Sequence, residues 1–213
     1  MEKYRKIESA RFQNVVLRVI PGHFVTPNSH VNYYMDMSGL KCRMTEAQAT
    51  AKALSEVYYS STVVDTIVCL DGMEVVGAYL AEELTHVGVI SMNKHKSLYV
   101  LTPEFNNSGQ MIFRSNMQQW IEGKNVLLLL ASATTGKTVA TAIESLTYYG
   151  ATITGISAIF CVATKIGGLP VHALFRSADL PDYATYSHDE CPLCKRGVHV
   201  DAMCNGFGYT PIR

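Results

Sequence analysis

Residues 126–138 read Val-Leu-Leu-Leu-Leu-Ala-Ser-Ala-Thr-Thr-Gly-Lys-Thr, and no other stretch narrows the fold as much. Six apolar residues in a row, 126–131, are far too few to cross a bilayer. They have no alternation, so they suit a strand buried on both faces, the kind that a parallel sheet uses. Small and hydroxyl residues follow, and then Val139, Ala142, Ile143 and Leu146 share one side of a helix predicted over 136–149, with Gly150 beyond its end. Residues 152–160 supply a second apolar strand. Strand, short loop, helix and strand make the βαβ unit of a parallel sheet covered on both sides. The alternation starts earlier, with a strand at 65–70, a turn at Asp71-Gly72, a helix at 73–84 and a strand at 86–92.

The ends of the chain read differently. Ile7, Ala10, Val15, Leu17 and Ile20 predict an amphipathic helix over 4–20, stopped by Pro21-Gly22. Residues 23–37, rich in aromatic and β-branched side chains, predict one or two short strands. Thr45-Glu46-Ala47-Gln48 has the spacing of a capping box, with Thr45 as N-cap of a helix reaching about residue 58 and burying Ala49, Ala53, Leu54 and Val57. Pro103 and the Asn-Asn-Ser-Gly at 106–109 predict a flexible loop over 102–110. Residues 189–208, rich in Cys, Gly and His, read as a tail or hood. The expectation is an α/β fold in a single domain, 1–213. A core of about 60–175 holds a central parallel sheet with helices on both faces, and a small N-terminal and C-terminal hood comes from 20–40 and 176–213.

With 48% hydrophobic and 17% charged residues, a chain of this length buries a real core. Eighteen basic residues balance eighteen acidic ones, so no overall field favours nucleic acid or an acidic membrane surface. Charged residues 1–6 are followed by no apolar stretch, which argues against a signal peptide. Six cysteines in 213 residues do not make a disulfide framework. The cytoplasm is the expected compartment, with neither membrane nor nucleic acid as partner.

An anionic ligand would therefore need a local site, and residues 133–138 offer one. Amide groups at a helix start are unpaired and lie at the positive end of the helix dipole. Thr134, Thr135 and Thr138 add hydroxyls, Gly136 lets a backbone approach closely, and Lys137 adds charge. These residues, Ala133, Thr134, Thr135, Gly136, Lys137 and Thr138, suit a phosphate monoester. An ordinary strand-to-helix turn with a threonine cap is the plainer alternative. Ala131 to Thr138 also fits a relaxed nucleotide-hydrolase P-loop, A-x-x-x-x-G-K-T. That reading ranks lower, because the loop would follow some 130 residues and no later apolar strand ends in a magnesium-binding Asp.

Several segments resemble the type I phosphoribosyltransferases, and among them the orotate phosphoribosyltransferases. Gly22-His23-Phe24 followed by His30-Val31-Asn32-Tyr33-Tyr34-Met35-Asp36 is similar to that family's entry region. Asp65-Thr66-Ile67-Val68 with its turn at Gly72 sits where the family has its pyrophosphate loop. Ile121-Glu122-Gly123-Lys124 precedes the buried strand as it does there, and Cys191-Pro192-Leu193-Cys194-Lys195-Arg196-Gly197-Val198 is similar to a C-terminal segment of some bacterial and archaeal members. The resemblance spans most of the chain in order. It implies transfer of a 5-phosphoribosyl group from phosphoribosyl pyrophosphate to a base with Mg2+, a place in pyrimidine biosynthesis, and a homodimer. It also implies that residues 133–138 hold the 5-phosphate, with Asp71, Gly72, Lys94 and Ser132 near the ribose and pyrophosphate. No catalytic residue follows from the sequence.

Three loops depart from the family pattern. The paired acids that hold the ribose hydroxyls fall on Leu130 and Ala131, and the one nearby substitute, the Ser132 hydroxyl, forms weaker bonds than a carboxylate. The mobile loop, residues 102–110, has no lysine, although Lys94 and Lys96 lie upstream. The segment 70–74 brings Asp71 and Glu74 near an anion site, where they would hold magnesium or, more simply, cap the next helix. Two readings stay open: a phosphoribosyltransferase, and a binder or sensor of a phosphorylated ribose or nucleotide that does not catalyse. In the tail, His188, Cys191, Cys194, His199 and Cys204 fall within 17 residues. Cys191 and Cys194 are the one pair at a zinc bite, but no second C-x-x-C exists. The spacing favours a reduced turn shaped by Pro192 and Gly197, without zinc. His86 and His172 read as structural histidines.

Overall fold

A computed structural model describes residues 4–86, 91–94, 97–107 and 109–212. Strands β1 (Arg5–Glu8), β2 (Val16–Val25) and β3 (His30–Asp36) open the chain, followed by helices α1 (Ser38–Cys42) and α2 (Met44–Ser55). Next come β4 (Thr66–Cys69), α3 (Glu74–His86), β5 (Tyr99–Leu101), β6 (Glu104–Phe105), β7 (Met111–Ile112) and α4 (Ser115–Gln118). Then β8 (Asn125–Ala133), α5 (Lys137–Tyr148), β9 (Thr152–Cys161), β10 (Lys165–Ile166) and β11 (Leu169–Phe175) complete one sheet. Finally β12 (Thr185–Tyr186), α6 (Pro192–Lys195), β13 (Ala202–Asn205) and β14 (Gly208–Pro211) form the tail.

The central sheet runs β10-β11-β9-β8-β4-β5, and every pair from β11 to β5 is parallel. Alternate residues of β8 explain its unbroken apolar run, because side chains of a strand point to opposite faces in turn. Leu127, Leu129 and Ala131 join Ala47, Leu54, Val76 and Leu80 of α2 and α3 in one apolar layer. Val126, Leu128 and Leu130 join Val139, Ala142 and Leu146 of α5 in the other. The predicted α/β core, with helices on both faces, is what the structure shows.

The second sheet runs β12-β3-β2-β13-β14, with β1 on β2. It corrects the helix expected over 4–20. Val15, Leu17 and Val19 are buried while Val16 and Arg18 are half-buried, which is a period of two. Four β-branched residues (Val15, Val16, Val19 and Ile20) favour that strand further. Pro21-Gly22 does not stop the element; it sits in a β-bulge where the β2–β3 register shifts between Pro21 and Phe24. β13 then adds parallel to β2, so both ends of the chain build one hood.

Three further expectations change. α2 starts at Met44 with Arg43 as its N-cap and no side-chain capping bond, so Thr45 lies inside the helix. The Glu46 carboxylate accepts from both terminal nitrogens of the Arg18 guanidinium at 3.2 Å, and Val57 is exposed. Residues 102–110 include half of a β-hairpin, in which β6 pairs with β7 and the Asn106 side chain holds Gln110. Of the strand expected at 86–92, His86 ends α3, and 87–90 lie outside the described residues.

Candidate functional site

The β8–α5 connection follows from local chemistry. β8 stays buried through Ala133, and Thr134, Thr135 and Gly136 then turn the chain out of the sheet. Gly136 is the N-cap of α5 at φ 75. A side chain there would be strained by that left-handed backbone. Its Cβ would also press on Ile166 at 3.2 Å. No side chain caps the helix. Thr135 Oγ1 accepts only a long 3.5 Å bond from the Lys137 amide, so the first amides of α5 are left for another acceptor.

This turn forms one wall of a cleft of about 360 Å³ at the carboxyl ends of the parallel strands. All six of Ala133, Thr134, Thr135, Gly136, Lys137 and Thr138 line it, together with Ser132 and Asp71. The hood supplies the facing wall: the β2–β3 turn at Thr26, Tyr34 of β3, and the β13–β14 turn from Asn205 to Phe207. A crevice beyond the carboxyl ends of the strands is where open α/β sheets place ligands.

Asp71 is held in place by three neighbours. Among the described residues it is the one non-glycine in the left-handed region, at φ 56, which Asp tolerates better than most residues. Burial pushes its carboxyl above the usual range, opposed by the Lys41 ammonium and by the Ala131 amide that donates to it. Lys41, itself buried, donates from Nζ to Asp71 O at 2.9 Å and to Gly206 O at 2.6 Å, tying the β4–α3 turn to the hood. A Cβ at Gly206 would come within 2.5 Å of Asp71 Oδ1, so only glycine lets the hood close onto this carboxylate. Burial also pushes the Tyr34 phenol up to about 12 and the Cys204 thiol up to about 11, so both cleft residues are neutral at physiological pH.

The other expected residues fall elsewhere. Gly72, at φ 75, adjoins Asp71 but does not line the cleft. Lys94 is displaced: its neighbour Asn93 accepts the Val64 amide before β4 begins. At about 3.3 Å per residue, the rise from Val64 to Asp71 puts Lys94 roughly 20 Å from the cleft of the same chain. Lys94 does not line the cleft of its own chain; Lys96 lies outside the described residues. Glu74 occupies the first turn of α3 and accepts the Thr102 hydroxyl at 3.1 Å, in keeping with a helix-start role. Leu130 and Ala131, at the positions of the family's acids, are 1% and 3% exposed. His172 lies edge-on to Tyr58, and His86 bonds to Glu82 O, so both are structural.

The tail cysteines have partners that their own segment did not reveal. Cys191 and Cys194 meet His23 of β2 and His30 of β3, and one ligand atom from each lies within 4.8 Å of the others. His188, His199 and Cys204 are not part of this group. The sequence carries a signal, since His23 and His30 flank a hairpin turn, but 168 residues separate His23 from Cys191.

No family model matches the chain. Fold comparison gives a clear answer. A phosphoribosyltransferase from Corynebacterium diphtheriae superposes with TM-score 0.52 at 18% identity, over 76% of this chain and 90% of that one. Orotate phosphoribosyltransferase of Mycobacterium tuberculosis H37Rv does so with TM-score 0.52 at 17% identity, over 77% and 92%. The structure of that enzyme in complex with inorganic phosphate gives 0.50 at 15%, over 70% and 81%. The fold is that of the type I phosphoribosyltransferases.

Sequence comparison narrows the class. An orotate phosphoribosyltransferase from Chlorobium phaeobacteroides is 26% identical over 197 residues, 91% of this chain and 92% of that protein. The chain has the fold of the type I phosphoribosyltransferases and is similar over nearly its whole length to an orotate phosphoribosyltransferase. Among the described residues, no helix is long and apolar enough to cross a membrane.

Proposed function

We propose that the cleft binds a 5-phosphoribosyl compound, phosphoribosyl pyrophosphate or the corresponding nucleotide, and that the chain is an orotate phosphoribosyltransferase-like transferase acting in the cytoplasm as a homodimer. The observation that carries this is the uncapped start of α5, opening with Thr134 to Thr138 into a cleft that also holds Asp71. The 5-phosphate accepts the free amides of α5 and the threonine hydroxyls, with Lys137 balancing its charge. The M. tuberculosis enzyme in complex with inorganic phosphate supports a phosphate site on this fold.

Asp71 takes part of the role that Leu130 and Ala131 cannot. Its carboxyl receives the Ala131 amide, so it stands beside the very segment where the family's acids would be. From there it can accept ribose hydroxyls. Mg2+ typically uses one or two carboxylates together with substrate phosphates. Asp71 fits as the one protein carboxylate lining the cleft, and the ion would neutralise a departing pyrophosphate there. Tyr183 also lines the cleft, and its hydroxyl is buried with no partner among the described residues.

One observation favours a second reading, binding without transfer: residues 130 and 131 are apolar and buried, so at most one acid faces the sugar. Incubating the protein with orotate, Mg2+ and phosphoribosyl pyrophosphate while following orotate absorbance separates the two. Turnover supports the transferase. Saturable binding by calorimetry with no turnover supports the binder, and neither result leaves the site without its ligand.

A further inference from the structure

The four side chains His23, His30, Cys191 and Cys194 come from three separate elements: β2, β3 and the turn into α6. His23 Nε2 lies 2.9 Å from His30 Nδ1, 3.5 Å from Cys191 Sγ and 3.6 Å from Cys194 Sγ. Cys194 Sγ lies 3.4 Å from His30 Nδ1. In a regular tetrahedron with Zn–N of about 2.05 Å and Zn–S of about 2.3 Å, N···N edges are about 3.3 Å and N···S edges about 3.5 Å. The three N···S distances, 3.4–3.6 Å, match that value, the N···N distance is shorter by about 0.4 Å, and the other two edges stay within 4.8 Å.

Hydrogen bonding alone accounts poorly for this arrangement. The Nδ1 of His23 lies 2.9 Å from Val198 O and, facing a carbonyl, must be the donor. A neutral His23 then has one lone pair, at Nε2, and three potential donors crowd it within 3.6 Å. One central cation would satisfy all four groups at once. His23, His30 and Cys191 are 1%, 8% and 1% exposed, and all six cysteines are free. The Val198 carbonyl fixing the His23 tautomer is the kind of outer support that metal-bound imidazoles usually have.

We propose that His23, His30, Cys191 and Cys194 form a structural zinc site that fastens the C-terminal tail to the hood. Two thiolates and two imidazoles in a tetrahedron select zinc over the oxygen-seeking magnesium or calcium. Four protein ligands leave no open position, so the site is structural. His188 stays outside it: its ring is 5.1 Å from that of His30, and its Nε2 turns to Thr26 O. Immediately after the cluster, the Asp201 carboxylate accepts the His23 amide at 2.7 Å, and its own amide donates to His23 O at 2.8 Å. The chain then enters β13–β14, whose turn lines the cleft. The zinc thus sets where one wall of the cleft stands, whatever the cleft binds.

Metal analysis of the full chain, purified without chelators or metal-affinity resin, tests this. We expect about one zinc per chain, falling below about a tenth in the C191S/C194S double variant. Should that variant fail to fold, the wild-type protein still decides the matter. Removing zinc with a chelator should make about two additional thiols reactive. Cobalt(II) added to the reduced apo-protein should give the visible spectrum of a tetrahedral, thiolate-bound ion. Wild-type protein with less than about a tenth of an equivalent of zinc and no such cobalt spectrum overturns the proposal. So does zinc retained in full by a folded double variant.

Discussion

In the central sheet, β8 divides its leucines between two apolar layers, and neighbouring strands and helices close over them. The hood sheet is divided: Leu17, Val19 and Tyr33 join the main core, while the remainder has only a small apolar cluster, with Ile20, Phe24, Val31, Tyr34 and Ala202 at its centre. Polar links do much of the joining there. Asp201 clasps His23, Lys41 bridges Asp71 to Gly206, and the His-Cys cluster gathers three elements. Burial of apolar area is non-directional and tolerant, whereas each polar link requires a particular partner in a particular geometry. The 133–138 turn belongs to the first region and the facing wall of the cleft to the second. In the proposed function the core would fix where the phosphate goes, and the hood how the rest of the ligand is enclosed.

The largest effect that separates the regions should come from Leu127→Ala, fully buried between β8, α2 and α3. It should cost about 3 kcal/mol, read as a lower urea midpoint for the whole chain. Gly136→Ala should cost about 1–2 kcal/mol through its left-handed backbone, with a small drop in thermal midpoint and a larger loss of ligand affinity. Asp201→Ala should cost about 1 kcal/mol and act locally. Hydrogen exchange should speed at the His23 amide and across β13–β14, while β8 and β9 keep their protection. If β8 and β9 lose protection equally, the two regions are not separately held.

The smallest effect concerns Glu46, whose carboxyl the Arg18 guanidinium holds below the usual range, joining β2 to α2. Because the folded-state value is depressed, this contribution is present above the ordinary carboxylate range and is lost as pH falls through the folded value. Glu46→Gln should therefore cost about 0.5–1 kcal/mol at neutral pH and nothing once the carboxyl is protonated. Urea midpoints across the acid range test that convergence.

The two regions also differed in how legible they were. The run 126–131 and the helix after Gly136 could be read directly, because a strand buried on both faces and an amphipathic helix each leave a local period. The β8–α5 turn, on which the proposed phosphate site rests, was legible for the same reason: its residues are contiguous. The hood was not. Residues 4–20 carry apolar positions compatible with both periods, and only pairing with β3 and β13 decides for the strand. The capping box at Thr45 does not form because α2 begins one residue earlier, at Met44, with Arg43 as its N-cap. Lys94 was placed by sequence proximity to a loop, whereas the turn that holds it sits beside the chain entering β4. The His-Cys cluster spans 168 residues between His23 and Cys191, a separation over which spacing rules carry no information.

Titration calorimetry with phosphoribosyl pyrophosphate, on the wild-type protein and on folded Gly136→Ala, probes the loop at the centre of this account. The wild-type chain should bind saturably, inorganic phosphate should compete, and the variant should bind at least about tenfold more weakly, a difference of about 1.4 kcal/mol. Absence of binding to the wild-type chain, or equal affinity in both, would contradict the phosphate assignment of residues 133–138.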